Sequence, residues 1–279
     1  MAVRAHERGG NPMSKTEEHF GNIDPLWRAI FSGEAQELRR GRIFFKLISP
    51  AANARCRICF APFEGIAAPF VRWMGRGPWH RNPHYCDLCE TTFREHRGGA
   101  ELDIAVLFAD VRGSTPMAAG MRPTEFGALM QRFYLAATKV FRDTDAVIDK
   151  MVGDEVIGLF FPGLIAADYR RAAARAAVEL LRATGHGSGD QPWLSIGIGV
   201  HTGKAFVGSL GVAGDSYEFA VLGDRMNVGA RMASAASGGE IVISGDLWPH
   251  VAGELSAEPR TLELKGVEGP VQAYVSRLS

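Results

Sequence analysis

Two pairs of cysteines are the first residues whose types and spacing imply chemistry. They are Cys56-Arg57-Ile58-Cys59 and Cys86-Asp87-Leu88-Cys89, with 26 residues between the pairs. Two intervening residues let both sulfurs of a pair point to one side of a tight turn. Two such turns facing each other supply four thiolates in a tetrahedron, the closed geometry of a structural zinc site. The segment between them is broken by Pro62, Gly65, Pro69, Gly75, Gly77, Pro78 and Pro83, so it can loop out and return the second pair to the first. Disulfides are not expected, because Met1 to Phe20 is polar and lacks an apolar signal core. One Zn²⁺ is the expected occupant, since it asks only for closed tetrahedral thiolates; an iron–sulfur cluster is the alternative that the same ligands admit. His80, His84 and His96 stand nearby, but four sulfurs already complete the shell.

A second constellation is built of hard oxygen. Asp110 ends the apolar run Ala105-Val106-Leu107-Phe108-Ala109, and Asp154 follows Gly153 between two β-patterned runs. If those strands are neighbours, both acids project from one sheet edge, where carboxylates suit Mg²⁺. Asp110 is followed by Val111-Arg112-Gly113-Ser114-Thr115, a turn into a helix whose N–H groups form a phosphate cradle. Acids beside a phosphate cradle point to two-metal phosphoryl chemistry. An Asp at a strand end or hairpin tip can also be only a turn-former.

The elements that must position these groups follow from periodicity. Strands are predicted over 104–108, 146–151, 155–161, 194–200, 218–222 and 240–244. Helices are predicted over 123–141, 166–184 and 224–236, and the glycines of the 194–200 strand are expected to allow close packing. The order strand, helix, hairpin, helix, strand is that of a ferredoxin-like α+β core with additional elements. Upstream, 23–40 is predicted helical, with Asp24 as N-cap, Pro25 in the first turn, an apolar face of Leu26, Trp27, Ile30 and Phe31, and an interruption at Gly33. Its expected role is to cover the metal module.

Charge and composition divide the chain near residue 99. Residues 1–99 hold 15 Lys+Arg against 10 Asp+Glu, and the remainder holds 16 against 21, so the net charge of zero is a sum of unlike halves. The excess is too small and unclustered to call for a nucleic-acid partner. No apolar run reaches the length of a membrane span, so no membrane partner is expected and a cytoplasmic location follows. With Arg94 to Gly99 as a linker, the expected organisation is a flexible stretch (1–22), a helix plus four-cysteine module (23–99) and a catalytic domain (100–279).

Four segments in order carry a resemblance: 107–113 (LFADVRG), 150–155 (KMVGDE), 222–231 (LGDRMNVGAR) and Leu264-Lys265-Gly266. Together, over roughly residues 101–276, the chain resembles the class III adenylyl/guanylyl cyclase catalytic domain. The resemblance implies a soluble homodimer that converts ATP to cyclic AMP with two Mg²⁺ (or Mn²⁺) ions per site. It implies that Asp110 and Asp154 hold the ions, with a backbone oxygen of Val111. It assigns Lys150 to the purine base, Asn227 and Arg231 to the transition state, and Lys265 to the triphosphate. It further implies that acids and Asn/Arg pair come from different subunits. Guanylyl enzymes of the family usually have Glu at the Lys150 position, which favours ATP. Ala220 departs from the family, which usually has Asp or a small hydroxyl residue there, so base selection falls on Lys150 and backbone groups; Gly229 replaces the usual Ala between Asn227 and Arg231. A diguanylate cyclase is disfavoured because the 152–156 hairpin lacks paired glycines. A guanylate cyclase and a non-catalytic cyclase-like binding domain remain the alternatives.

Overall fold

The computed structural model describes residues 24–49, 52, 54–80, 85–96, 98–165, 168–211 and 217–278. The lead-in over 1–22, Ile23, His84 and the first residues of the helix predicted from 166 lie outside the described residues.

The core is the expected α+β arrangement. Strand β1 (Gly98–Val111) is followed by α5 (Ser114–Gly120), α6 (Pro123–Asp143), the hairpin β2 (Val147–Val152) and β3 (Glu155–Phe160), then α7 (Tyr169–Ala183) and β4 (Ile196–Gly211). Among the described residues, four helices precede β1. The strand order β2-β3-β1-β4, all antiparallel, is the ferredoxin-like pattern. The β1 apolar run is unbroken because the strand is covered on both faces. Ala105, Leu107, Ala109 and Val111 meet α6 and α7, whereas Leu102, Ile104, Val106 and Phe108 belong to a second buried cluster on the opposite side.

That opposite face is closed by three groups of residues. Helix α8 (Asp224–Ala235) lies directly on β4 and β1, close enough that a Cβ on Gly229 would meet the Phe108 ring at 2.8 Å. Gly229 therefore has a packing reason for replacing the usual Ala, offsetting its helix-propensity cost of about 1 kcal/mol. A Cβ on Gly199 would come within 2.4 Å of the Ala233 nitrogen, so the strand glycines serve the close packing expected of them. Helix α1 (Pro25–Ser32) packs on β1. Its N-cap is Asp24, whose side chain accepts from Leu26 N at 2.8 Å, and Gly33 ends it in the left-handed conformation. Trp27 and Phe31 are buried against Phe93, Phe161 and Phe219.

The four-cysteine segment completes the face. It comprises α2 (Gln36–Ile48), α3 (Ala68–Trp73), α4 (Asp87–Glu95) and the turns between them. Cys56, Cys59, Cys86 and Cys89 lie in the same buried cluster as Leu102, Ile104 and Val147. The upstream helix thus differs from expectation: it is two helices, it continues to Ile48, and α1 covers the sheet as well as the module. The predicted linker is also reassigned. Arg94 and Glu95 end α4, while Gly98 and Gly99 open β1 opposite Ser209 and Gly208.

Beyond the core, β5 (Tyr217–Leu222) pairs with the far half of β4, and β6 (Glu240–Ser244) runs parallel to its near half. Two further strands, β7 (Glu258–Leu262) and β8 (Val271–Arg277), extend the sheet past β6 and were not foreseen. They are joined to it by buried Glu240, which accepts from both guanidinium nitrogens of Arg260 at 2.9 and 3.0 Å, from Arg277, and from Ser237 N at 2.9 Å. The Arg260 hydrogen bonds, with Ser237 and Arg277, hold the Glu240 carboxyl down at about 2. No described helix is long and apolar enough to cross a membrane.

Candidate active site and four-cysteine cluster

Pairing of β1 with β3 sets Asp110 opposite Glu155, so the end of the apolar strand meets the β2–β3 turn that carries Asp154. Val111 N donates to the Asp154 carbonyl at 3.1 Å, locking that turn to the strand end. The left-handed Gly153 (φ 62°) makes the turn, and Tyr134 Oη on α6 donates to the Gly153 carbonyl at 2.8 Å. The two sequence-predicted acids are thereby brought to one edge. Glu155 is a third carboxylate there: burial first, then the charges of Asp110 and Asp154, push its carboxyl up. Burial likewise raises Asp110, opposed by Arg112 and reinforced by Asp154. Two neighbouring carboxylates, Asp110 and Asp154, at a half-buried edge are of the hard-oxygen type that suits a divalent cation.

The segment after Asp110 is used differently from expectation. Gly113 adopts φ 69° and caps α5, allowing the sharp turn back toward the acids. The N–H groups of Val111 and Arg112, expected in a phosphate cradle, are instead taken within the fold, by Asp154 O and by Ser195 O at 2.9 Å. Ser114 Oγ donates to the Asp154 carboxylate. Arg112 pairs with the Asp110 carboxylate and also donates to Ser234 O (3.2 Å) and Ala236 O (3.1 Å), tying the acid edge to the C-terminal end of α8. The roles of Arg112, Glu155 and Tyr134 were missed by sequence reasoning. Glu155 was signalled by adjacency to Asp154; Tyr134 carried no signal, because only the fold brings α6 to the turn.

The remaining predicted residues do not join this cluster within one chain. Lys150 is exposed on β2, Asn227 and Arg231 on α8, and Lys265 in the β7–β8 loop. Ala220 is half-buried on β5 opposite Gly208. Among the described residues no hydrogen bond or ion pair links Asn227 or Arg231 to Asp110 or Asp154. Beneath α8, His201 is buried with both ring nitrogens unpartnered, and burial, with Arg225 nearby, lowers it to about 4.

The cysteine cluster is complete in itself. The four Sγ atoms lie within 4.8 Å of one another, all four residues are buried, and none is in a disulfide. Cys86 N donates to Cys56 Sγ (3.3 Å) and Cys89 N to Cys86 Sγ (3.5 Å). Burial pushes the Cys56 thiol up, while hydrogen bonds with Cys56 and the other thiols hold Cys59 down. The four residues fit a metal ion bound by thiolates. His80 and His96 are not part of the group.

A profile of the family described as the adenylate and guanylate cyclase catalytic domain matches residues 100–275. The chain belongs to this family. An adenylate cyclase of Anabaena cylindrica is 30% identical over 135 residues, 46% of this chain and 26% of that protein. The guanylyl cyclase Cya2 superposes with a TM-score of 0.57 at 28% identity, covering 65% of this chain and 99% of its own. The adenylyl cyclase CyaB from P. aeruginosa gives 0.58 at 24% identity, covering 65% and 96%, and so supports the fold. The chain spans about a quarter to a third of the length of the curated relatives it matches. The class III cyclase domain thus accounts for residues 100–275, and the four-cysteine cluster lies outside it.

Proposed function

We propose that this chain is an adenylate cyclase, converting ATP to 3',5'-cyclic AMP and pyrophosphate at sites shared by two copies in a cytoplasmic homodimer. The observation that carries the reading is the convergence of Asp110 and Asp154 at one sheet edge, with Asn227 and Arg231 exposed on α8 and unengaged with those acids. Asp110, Asp154 and the Val111 carbonyl are the groups that would hold two Mg²⁺ or Mn²⁺ ions. Once bound, these cations acidify the ribose 3'-hydroxyl and neutralise phosphate charge.

The chain's own groups supply the rest of the reading. Ser114 orients the Asp154 carboxylate, and Tyr134 holds the Gly153 turn beneath it. Lys150 contacts the adenine and Lys265 the triphosphate. From the second copy, Asn227 orients the ribose and Arg231 offsets charge developing on the α-phosphoryl oxygens as the 3'-oxygen attacks in line and pyrophosphate leaves. Asn227 and Arg231 are four apart on α8, so one helix face delivers both. In the second module, one Zn²⁺ on Cys56, Cys59, Cys86 and Cys89 is the structural ion of this reading, with an iron–sulfur cluster as its rival.

Guanylate cyclase activity is the second reading, favoured by two observations. Ala220 offers no hydrogen bond to a base, and Cya2, named a guanylyl cyclase, is 28% identical over nearly its whole length. Purified protein incubated with Mg²⁺ or Mn²⁺ and either ATP or GTP, with products resolved by chromatography, decides between them. Cyclic AMP as the main product supports the first reading. Cyclic GTP-derived product alone supports the second, and neither product contradicts both.

A further inference from the structure

The first cysteine knuckle sits against the strand that carries Lys150, and the contact is made by the residue between its two ligands. Arg57 Nη1 donates to the Ile148 carbonyl at 2.6 Å. Among the described residues strand β2 is the terminal strand of the sheet, paired only with β3, and Arg57 adds a side-chain donor to its backbone. A second link lies alongside. Buried Arg42 donates to the Arg57 carbonyl (3.3 Å) and the Ile58 carbonyl, and reaches Asp145 O at 3.4 Å just before β2 begins. Its guanidinium also stacks on Phe60, 3.9 Å from the ring centroid, and pairs with the Asp145 carboxylate at 3.7 Å. Ile58 and Val147 are buried in one cluster.

The strand is irregular where these contacts end. Val147 and Ile148 pair with Leu159 and Gly158, but Met151 and Val152 pair with Val156 and Glu155. The register has moved by one, so Asp149 and Lys150 form a bulge opposite the single residue Ile157. A bulge interrupts the ladder and re-aims its side chains. Its conformation therefore rests on contacts outside the ladder, and the contact at its leading edge is Arg57.

We propose that Arg57 is a positioning residue for Lys150, through which the four-cysteine metal site sets how the nucleotide base is held. The inference rests on the reading of Lys150 as the base contact. A bound ion clamps Cys56 and Cys59 and so fixes the turn that presents Arg57. Arg57 fixes Ile148, and Ile148 sets the start of the bulge that aims Lys150. Arg57 is not a metal ligand, so its removal separates this coupling from metal binding.

The test compares Arg57→Ala, Arg57→Lys and Lys150→Ala in the full chain. Metal content, hydrogen exchange over residues 147–154, and KM and kcat for ATP and GTP are measured for each. Arg57→Ala is expected to keep its metal, exchange faster over 147–154, and show a KM for ATP raised roughly tenfold with kcat within about threefold. Arg57→Lys, which keeps the charge and a donor, should recover most of the loss; it also serves alone if Arg57→Ala does not fold, then showing a smaller rise in KM. Wild-type protein stripped of its thiolate-bound metal should show the same faster exchange. Wild-type KM, nucleotide preference and exchange in Arg57→Ala, beside an altered Lys150→Ala, would overturn the coupling alone. Unchanged KM and preference in Lys150→Ala would overturn both the base contact and the inference built on it.

Discussion

The molecule holds two clusters able to bind cations, and they are built on opposite plans. The four thiolates are buried, accept backbone N–H groups of Cys86 and Cys89, and are supplied by one segment, with every ligand position filled by this chain. The carboxylates stand half-buried at a sheet edge, where burial first and neighbouring carboxylate charge second raise Asp110 and Glu155, with Asn227 and Arg231 facing solvent elsewhere. A closed soft-ligand shell leaves no position for a substrate and suits a structural ion. An open hard-ligand edge leaves positions for phosphate oxygens and suits a reaction. The difference teaches that metal-binding capacity alone does not mark a catalytic site; openness does.

The most damaging way to probe the open cluster is to remove its ligands. Asp110→Ala and Asp154→Ala should each lower cyclic nucleotide formation by roughly 100- to 1000-fold or more while leaving the thermal transition nearly unchanged. Near-normal turnover in either folded variant would show that the acids do not hold the reaction's cations. Openness is tested by complementation. Asp110→Ala and Arg231→Ala should be inactive alone, and an equimolar mixture that exchanges subunits should regain about a quarter of wild-type activity, because half the dimers are mixed and each has one intact site of two. Failure to recover, with exchange demonstrated, would mean that each site is built within one chain.

The closed cluster should respond in stability first. Cys59→Ser is expected to release the metal and cost at least about 3 kcal/mol, with faster hydrogen exchange across both the cysteine segment and α1. Unchanged stability with metal lost would separate the cluster from the shared core. Anaerobically purified protein should contain stoichiometric zinc and be colourless; iron with acid-labile sulfide and a visible absorption would replace zinc by a cluster.

The smallest expected effect lies on β6, outside both clusters. Glu240 titrates at about 2 in the fold against an ordinary value near 4.5. The unfolded chain therefore binds more protons between these values, and the stabilisation, complete above about pH 4.5, is lost as pH falls toward 2. Glu240→Gln should cost about 1–3 kcal/mol at neutral pH and flatten that acid limb in denaturant titrations. An unaltered acid limb would show that the Arg260 and Arg277 pairs contribute little. Since these arginines bind β7 and β8 to the sheet, the variant also tests how firmly the Lys265 loop is held.

The sequence by itself determined the elements that rest on local chemistry. The apolar run of β1, the amphipathic α6, the Asp24 cap and the two cysteine turns are all written in short-range patterns, and so are the two acids at strand ends. The spacing within each cysteine pair announced a metal knuckle before any fold was known. What only the tertiary structure decided are the encounters between distant segments. Tyr134 reaches Gly153, Arg112 reaches the end of α8, and Arg57 reaches Ile148 across 91 residues of sequence. The same holds for the merger of the cysteine segment with the sheet's second face, where a predicted linker became the first residues of β1. β7 and β8 escaped prediction because their alternation is weak, and their hold on β6 combines the β6–β8 ladder with one buried carboxylate that gathers two arginines. Side-chain periodicity records which face of a strand is covered, but not which of several apolar segments covers it; that choice is made when all of them compete for the same surface.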